Sequence, residues 1–169
     1  RQLRGEEFLD EVDPEIHLEL PAHLPENYIE DSTQRLSFYK RLAKAREDPE
    51  VDRIRAEMQD RFGTPPPRAE TLFKMIRIKV RLRRLRVREA RLAEEGLMLT
   101  FDPQTSVSID RILAWAQQEP DRLRLFPNDR VLIRFSAPDP EERLRNIQQI
   151  LDWLEQEPGR EKVADRKNA

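Results

Sequence analysis

The stretch DPEVDRIRAEMQDRFGTPPP, residues 48–67, contains the start, the apolar face and the end of one helix. Asp48 is a suitable N-cap and Pro49 a suitable first helical residue, because that position needs no backbone donor. The apolar stripe recurs at helical spacing, at Val51, Ile54, Met58 and Phe62. Gly63 can take a positive φ, and the prolines behind it cannot prolong the helix. The sequence therefore predicts that this helix ends at Gly63 and forms a hairpin with the next one.

Helices are also predicted on both sides of this stretch. Asp31 can cap a helix over residues 32–46, whose apolar residues at helical spacing are Leu36, Tyr39 and Ala43, with Phe38 and Leu42 beside them. A third helix is predicted over residues 68–85. From residue 76 to residue 88, apolar and basic residues alternate in a way that also fits a strand, so the sequence leaves the end of this helix open. Upstream, residues 13–28 alternate apolar and polar side chains and contain three prolines, which indicates an extended edge segment.

The second half of the chain changes to a strand pattern. Residues 87–93 and 97–101 predict a hairpin, and two further alternating runs follow around Leu123 and Ile133. Ser108 can cap a helix with the predicted buried stripe Ile109, Ile112, Leu113 and Ala116. Asp139 and Pro140 open a last helix with the predicted core face Leu144, Ile147, Leu151 and Leu154. The predicted fold class is α+β, with N-terminal helices packed with a small antiparallel sheet that carries further helices.

The length of 169 residues fits one domain. We expect residues 1–12 to be a linker from an upstream region, residues 13–157 to be the domain, and residues 158–169 to be a disordered tail. The chain has no Cys and no apolar run long enough to cross a membrane. With no secretory pattern at residue 1, the expected location is cytoplasmic and no membrane partner is expected.

The sequence contains no recognisable catalytic, cofactor-binding or metal site. With four Gly residues and no Gly-Lys-Ser/Thr, neither common phosphate-binding loop is present. His17 and His23 have no nearby carboxylate pair or thiol to complete a metal site. Ser37 has no neighbouring His. An enzyme therefore remains an alternative only if distant residues converge in space.

Nine cations between residues 74 and 91 suggest a nucleic-acid-binding module as a second alternative. They are Lys74, Arg77, Lys79, Arg81, Arg83, Arg84, Arg86, Arg88 and Arg91. Such a density can neutralise phosphates. No aromatic residue is interleaved to stack on bases, however, and acidic residues elsewhere can compensate these charges, since the net charge of the chain is -2.

Three charged residues of the second helix are predicted to share an outward flank. With the apolar stripe facing inward, Glu57, Asp60 and Arg61 fall together on a helical wheel. The spacing of Glu57 and Arg61 suits an ordinary i,i+4 ion pair worth about 0.3 kcal/mol. The same trio would also suit a docking patch for another protein surface. Spacing alone leaves both interpretations open.

Four motifs in order carry a family resemblance: DPEI at 13–16, LPENYI at 24–29, RLSFYKR at 35–41 and DRFG at 60–63. With them, the chain resembles the C-terminal domain of bacterial transcription-repair coupling factor. The resemblance covers residues 13–154 and is most specific over 13–67. It implies a parent protein that is an ATP-driven DNA translocase, removes stalled RNA polymerase and recruits UvrA.

The resemblance also implies a role for this region. ATP and Mg²⁺ would bind the motor domains of the parent, and no cofactor would bind this chain. The domain would dock on the UvrA-binding module of the same protein and mask it. The contact in the family includes an E-x-x-D-R motif, which matches Glu57, Asp60 and Arg61. Relatives tend to place Gly after the third helix, where this chain has Arg86.

Overall fold

The computed structural model describes residues 10–156, which contain five helices and five strands. The helices are α1 (Ser32–Lys44), α2 (Asp48–Phe62), α3 (Pro67–Arg84), α4 (Ile109–Gln118) and α5 (Pro140–Glu155). The strands are β1 (Glu15–His17), β2 (Val87–Ala93), β3 (Gly96–Phe101), β4 (Leu123–Phe126) and β5 (Arg130–Arg134). The predicted α+β class is confirmed. The predicted tail at 158–169 and residues 1–9 of the predicted linker lie outside the described residues.

The first three helices enclose a helical core. Its members from α1 and α2 include Phe38, Leu42, Val51 and Met58, all buried. The predicted face of α1 was wrong in part, because Leu36 is 54% exposed. The side of α1 with Phe38 and Leu42 packs into the core together with α2 and α3, and Leu36 lies on the opposite side of the helix.

The ends of these helices follow local signals, with one exception. Asp31 accepts the Thr33 backbone N–H at 3.0 Å and caps α1, as predicted. Gly63 ends α2 with a φ of 88°, a conformation that favours glycine. Asp48 does not cap α2 but is its first residue, with Glu47 at the cap position. The Asp48 carboxylate lies 3.9 Å from Arg77 on α3, so it faces the neighbouring helix rather than its own backbone.

The sheet has the strand order β1-β2-β3-β5-β4. The sequence predicted an antiparallel sheet, and the sheet is in fact mixed. The strand β1 pairs in parallel with β2, while all other pairs are antiparallel. Three helices separate β1 from β2 in sequence, and a long connection of this kind permits a parallel pairing. A Cβ atom at position 96 would lie 2.1 Å from the Ile133 carbonyl oxygen, so the residue after the β2–β3 turn has to be glycine.

One face of the sheet forms the second core with α3, α4 and α5. The inward residues of the central strands include Leu97, Leu99, Val131 and Ile133, all buried. Because successive side chains of a strand alternate between faces, Met98, Thr100 and Leu132 lie on the other face. Within residues 10–156, the helices α3, α4 and α5 pack on the face that carries Leu97 and Leu99.

The predicted core face of α5 is confirmed, since Leu144, Ile147, Leu151 and Leu154 are buried.

The predicted stripe of α4 was wrong in part, because Ile109 is 64% exposed and Leu113 is 41% exposed. The buried residues of α4 are Ile112 and Trp115. The ring of Trp115 lies 4.3 Å from that of Trp153 on α5, so contact with α5 turns this side of α4 inward.

The junction between α3 and β2 contains an ion cluster around the buried carboxylate of Asp102, in which the Arg86 side chain is 16% exposed and the Arg88 side chain 61% exposed. Arg86 has a φ of 57° and thus takes the conformation that glycine would adopt more easily. Its Nε atom donates to Asp102 Oδ2 at 3.0 Å, and Arg88 Nη2 donates to Asp102 Oδ1 at 2.6 Å. The Gln104 backbone N–H also donates to Asp102. The hydrogen bond from Arg88 is the main cause of a lowered pKa of Asp102.

Candidate docking site

Glu57 lies on the outer side of α2 between two arginines. Arg41 of α1 donates from Nη1 to Glu57 Oε2 at 2.6 Å and from Nη2 to Oε1 at 3.3 Å. Arg61, one turn along α2, places Nη1 3.5 Å from the same carboxylate. The hydrogen bond from Arg41 lowers the pKa of Glu57, although partial burial opposes this shift. Glu57 is therefore ionised at neutral pH and held in one orientation.

Two aromatic rings lie beside these guanidinium groups. The Arg41 guanidinium carbon is 5.3 Å from the centroid of the Phe38 ring. The Arg61 guanidinium carbon is 5.5 Å from the centroid of Phe38 and 5.0 Å from that of Phe62. The two rings meet edge to face, with centroids 5.9 Å apart. Cation–π contacts of this kind restrict the arginine side chains, so the charges on this surface are ordered.

Asp60 completes this surface, which we call the α2 flank and define as Arg41, Glu57, Asp60 and Arg61. Asp60 is exposed, and no side chain within residues 10–156 forms an ion pair with it. The structure therefore places the three predicted residues on one side of α2, with two of them paired and the third unpaired. A carboxylate in this state can accept a cation from another surface.

Arg41 is the member of the flank that sequence reasoning missed. It lies within the RLSFYKR motif, but spacing along one helix does not show which residue of another helix it meets. The connection between α1 and α2 spans only residues 45–47, which indicates neighbouring antiparallel helices. That signal predicts the packing of α1 on α2 and leaves the particular contact undetermined.

The nine cations of residues 74–91 are mostly paired. Seven of them hydrogen-bond or lie close to carboxylates: Arg77 with Asp52, Lys79 and Arg83 with Asp13, Arg81 with Asp152 and Glu155, Arg86 and Arg88 with Asp102, and Arg91 with Glu89. Lys74 and Arg84 have no carboxylate partner in the described part of the chain. Most of these ion pairs therefore connect the basic stretch to other parts of the domain.

Other kinds of site find little support in residues 10–156. No group of three or more His, Cys, Asp or Glu residues in this range could hold a metal ion. None of the helices described is both long and apolar enough to span a membrane. A groove of about 600 Å³ separates the starts of α3 and α5 and is lined by prolines and by side chains of both charges.

The fold defines the class of domain. The structure superimposes on the crystal structure of the C-terminal domain of transcription-repair coupling factor with a TM-score of 0.68 and 18% sequence identity. The match covers 81% of this chain and 88% of that chain. At this identity the likeness establishes the shared α+β fold.

Sequence comparison then identifies the family. The family model of the TRCF domain matches residues 18–112. The transcription-repair-coupling factor of Escherichia coli (strain K12) is 34% identical over 119 residues, and that of Bacillus subtilis (strain 168) is 35% identical over 101 residues. The chain belongs to the TRCF domain family.

The curated relatives are much longer than this chain. The matched region covers 70% of this chain but 10% of the Escherichia coli protein. For the Myxococcus xanthus protein, 29% identical over 133 residues, the shares are 79% and 11%. The chain thus spans about a tenth of the length of these relatives.

Proposed function

We propose that this domain is an autoinhibitory clamp of an ATP-dependent DNA translocase that couples transcription to nucleotide excision repair. The α2 flank docks on the UvrA-binding module of the same protein and masks it in the resting state. Engagement of stalled RNA polymerase releases the clamp, and UvrA is recruited. ATP and Mg²⁺ bind the motor domains, which also contact DNA, and this chain needs no cofactor. The protein acts in the cytoplasm.

The observation that carries this proposal is the α2 flank itself. Glu57 is held by Arg41 and Arg61, so docking costs little of the side-chain entropy that a loose charged surface would lose. Asp60 beside it is exposed and unpaired within residues 10–156. Membership of the TRCF domain family supports the assignment to a transcription-repair coupling factor.

A clamp built from exposed charges can still control the resting state. Exposed ion pairs contribute about 0–1 kcal/mol each. Tethering within one chain raises the effective concentration of the two surfaces to roughly the millimolar range, so a weak polar contact suffices. A weak contact is also easily released.

The pairing of the basic stretch favours this function over the nucleic-acid-binding alternative. Seven of the nine cations in residues 74–91 already face carboxylates of the domain. Phosphate binding would have to break these pairs or use Lys74 and Arg84 alone. On the α2 flank, Asp60 can accept a cation without such a rearrangement, since it is free of intradomain ion pairs among the described residues.

The first prediction tests the clamp in the full-length protein. The triple variant Glu57→Ala, Asp60→Ala, Arg61→Ala is expected to raise basal ATPase activity and UvrA binding, because the mask is lost. The stability of the domain should change by about 1 kcal/mol or less, since exposed charges stabilise folding weakly. Steady-state ATPase rates and UvrA co-purification measure the two activities, and urea unfolding measures stability.

The matched control is Arg53→Ala combined with Glu94→Ala. Both residues are exposed, Arg53 on α2 and Glu94 on the β2–β3 turn, and neither forms an ion pair within the part of the chain that is described. The single variant Asp60→Arg sharpens the test, because it reverses a charge without breaking an intradomain pair. Unchanged ATPase and UvrA binding in both the triple variant and Asp60→Arg would refute the clamp at these residues.

A further inference from the structure

Within residues 10–156, the strand β4 is one of the two edge strands of the sheet and pairs only with β5. The Arg122 carbonyl accepts the Arg134 N–H at 2.7 Å. Because hydrogen-bonded pairs alternate along an antiparallel ladder, Arg124 and Phe126 direct their backbone groups toward β5. Leu125 consequently directs its N–H and C=O away from the sheet. These are the groups that pair with an added strand.

Cations line the face of this edge that lies away from the helices. Arg124 and Phe126 of β4 and Arg130 and Arg134 of β5 point to this face by strand alternation. Arg124 and Arg130 place their guanidinium carbons 5.1 and 5.9 Å from the centroid of the Phe126 ring. Neither arginine forms an ion pair with a carboxylate of residues 10–156, whereas Arg134 lies 3.5 Å from Glu95. The surface is cationic and partly unpaired.

The opposite face of the same edge is apolar. Leu125 is 42% exposed on the face where α4 packs against β4. Trp115 turns one side of α4 toward α5. Ile109 and Leu113 of α4 are also exposed, by 64% and 41%. An added strand would therefore meet arginines on one face and the exposed Leu125 side chain on the other.

We propose that the β4 edge binds an extended acidic peptide segment of a partner protein, which adds to the sheet as a sixth strand. The main chain of the segment pairs with Leu125. Because side chains of a strand alternate, its carboxylates lie on the face of Arg124 and Arg130, and its apolar residues lie on the face of Leu125. The chemistry recognised is thus an alternation of acidic and aliphatic residues. This surface is separate from the α2 flank.

Single-stranded nucleic acid fits this edge less well. Binding platforms for bases use aromatic rings with free faces. Phe126 is the one Phe, Tyr or Trp on this face of the five described strands, and two guanidinium groups already lie beside its ring. An extended peptide uses the backbone groups, the arginines and the exposed leucine together, which accounts for more of the observed surface.

The second prediction is tested with the 169-residue chain and a nine-residue peptide of alternating Val and Glu. In an amide ¹H–¹⁵N titration, the resonances of β4 should shift, and hydrogen exchange of the Leu125 amide should slow as it becomes paired. The double variant Arg124→Glu, Arg130→Glu should bind the peptide about tenfold more weakly, since two charge contacts become repulsive. A peptide with Lys in place of Glu should not bind.

The control variant Arg53→Glu, Arg84→Glu reverses two exposed cations elsewhere and should bind the peptide as the wild type does. Asp60→Arg should also leave peptide binding unchanged, so failure of this proposal and failure of the clamp are distinguishable.

Two outcomes would overturn the proposal. One is a shift of the β4 resonances by oligo(dT) but not by the acidic peptide. The other is no shift of the β4 resonances with either probe. Self-association of Arg124→Val, Arg130→Val would then mean that the arginines only keep copies of the edge apart.

Discussion

Two carboxylates of this domain each lie beside two arginines, and they differ in their access to water. The side chain of Asp102 is 5% exposed, whereas that of Glu57 is 38% exposed. Asp102 also accepts a backbone N–H, from Gln104. Charges removed from water must stay paired, while charges at the surface can exchange one partner for another. Burial of Asp102 therefore gives its cluster a structural role, whereas the cluster around Glu57 remains accessible for docking.

The third prediction concerns Asp102 and carries the largest expected loss of stability. Asp102→Asn keeps the side-chain shape but removes the charge facing Arg86 and Arg88, and the Arg86 side chain is only 16% exposed. Since the folded pKa of Asp102 is lowered, the cluster stabilises the fold above the unfolded pKa of about 4, and this contribution is lost as the pH falls through the folded pKa. Urea unfolding should show a large difference from wild type near neutral pH and a smaller one at about pH 3.

The exposed residue Asp110 on α4 provides the control for this comparison. Asp110→Asn should change stability far less than Asp102→Asn at neutral pH, because it forms no ion pair within residues 10–156. A difference between wild type and Asp102→Asn that does not shrink in acid would show that the charge of Asp102 is not what stabilises the junction.

The fourth prediction separates backbone strain from ion pairing at Arg86. Its φ of 57° costs a non-glycine residue about 1 kcal/mol or more. Arg86→Ala removes the ion pair and keeps the strain, whereas Arg86→Gly removes both. The Gly variant is expected to be more stable than the Ala variant by about 1 kcal/mol. Urea midpoints at equal m-values measure this difference, and equal stabilities would mean that the backbone at Arg86 is unstrained.

The fifth prediction concerns Glu57 and has the smallest expected effect on folding. Glu57→Gln should lower the free energy of unfolding by about 0.5 kcal/mol or less, because the carboxylate is more than a third exposed and solvent screens its pairs. The difference should decrease further at about 0.5 M NaCl. A loss as large as that of Asp102→Asn in the same urea series would remove the distinction between the two clusters.

The helices could be predicted well because their signals are local. The sequence predicted α2 and α5 from a proline near the start of each, from the apolar stripe, and from Gly63 at the end of α2. Such signals act within one or two turns of the helix and need no information about the rest of the chain.

The side of a helix that becomes buried depends on its neighbours, and there the sequence was less informative. Leu36 and Ile109 fit apolar stripes but are exposed, because α1 and α4 turn other residues toward the helices beside them. The parallel pairing of β1 with β2 was also missed, since strand partners distant in sequence leave no periodic signal. For the same reason the α2 flank was predicted without Arg41, which reaches it from α1.

The helix α3 belongs to both cores of the domain. Ile76 lies in the helical core, Ile78 lies in the sheet core, and Met75 packs against both. The helix has 18 residues and is therefore about 27 Å long. Because this one continuous helix supplies buried side chains to both cores, neither core can turn relative to the other without losing contacts with α3. We therefore expect the helical and β-sheet parts of the domain to move as one body.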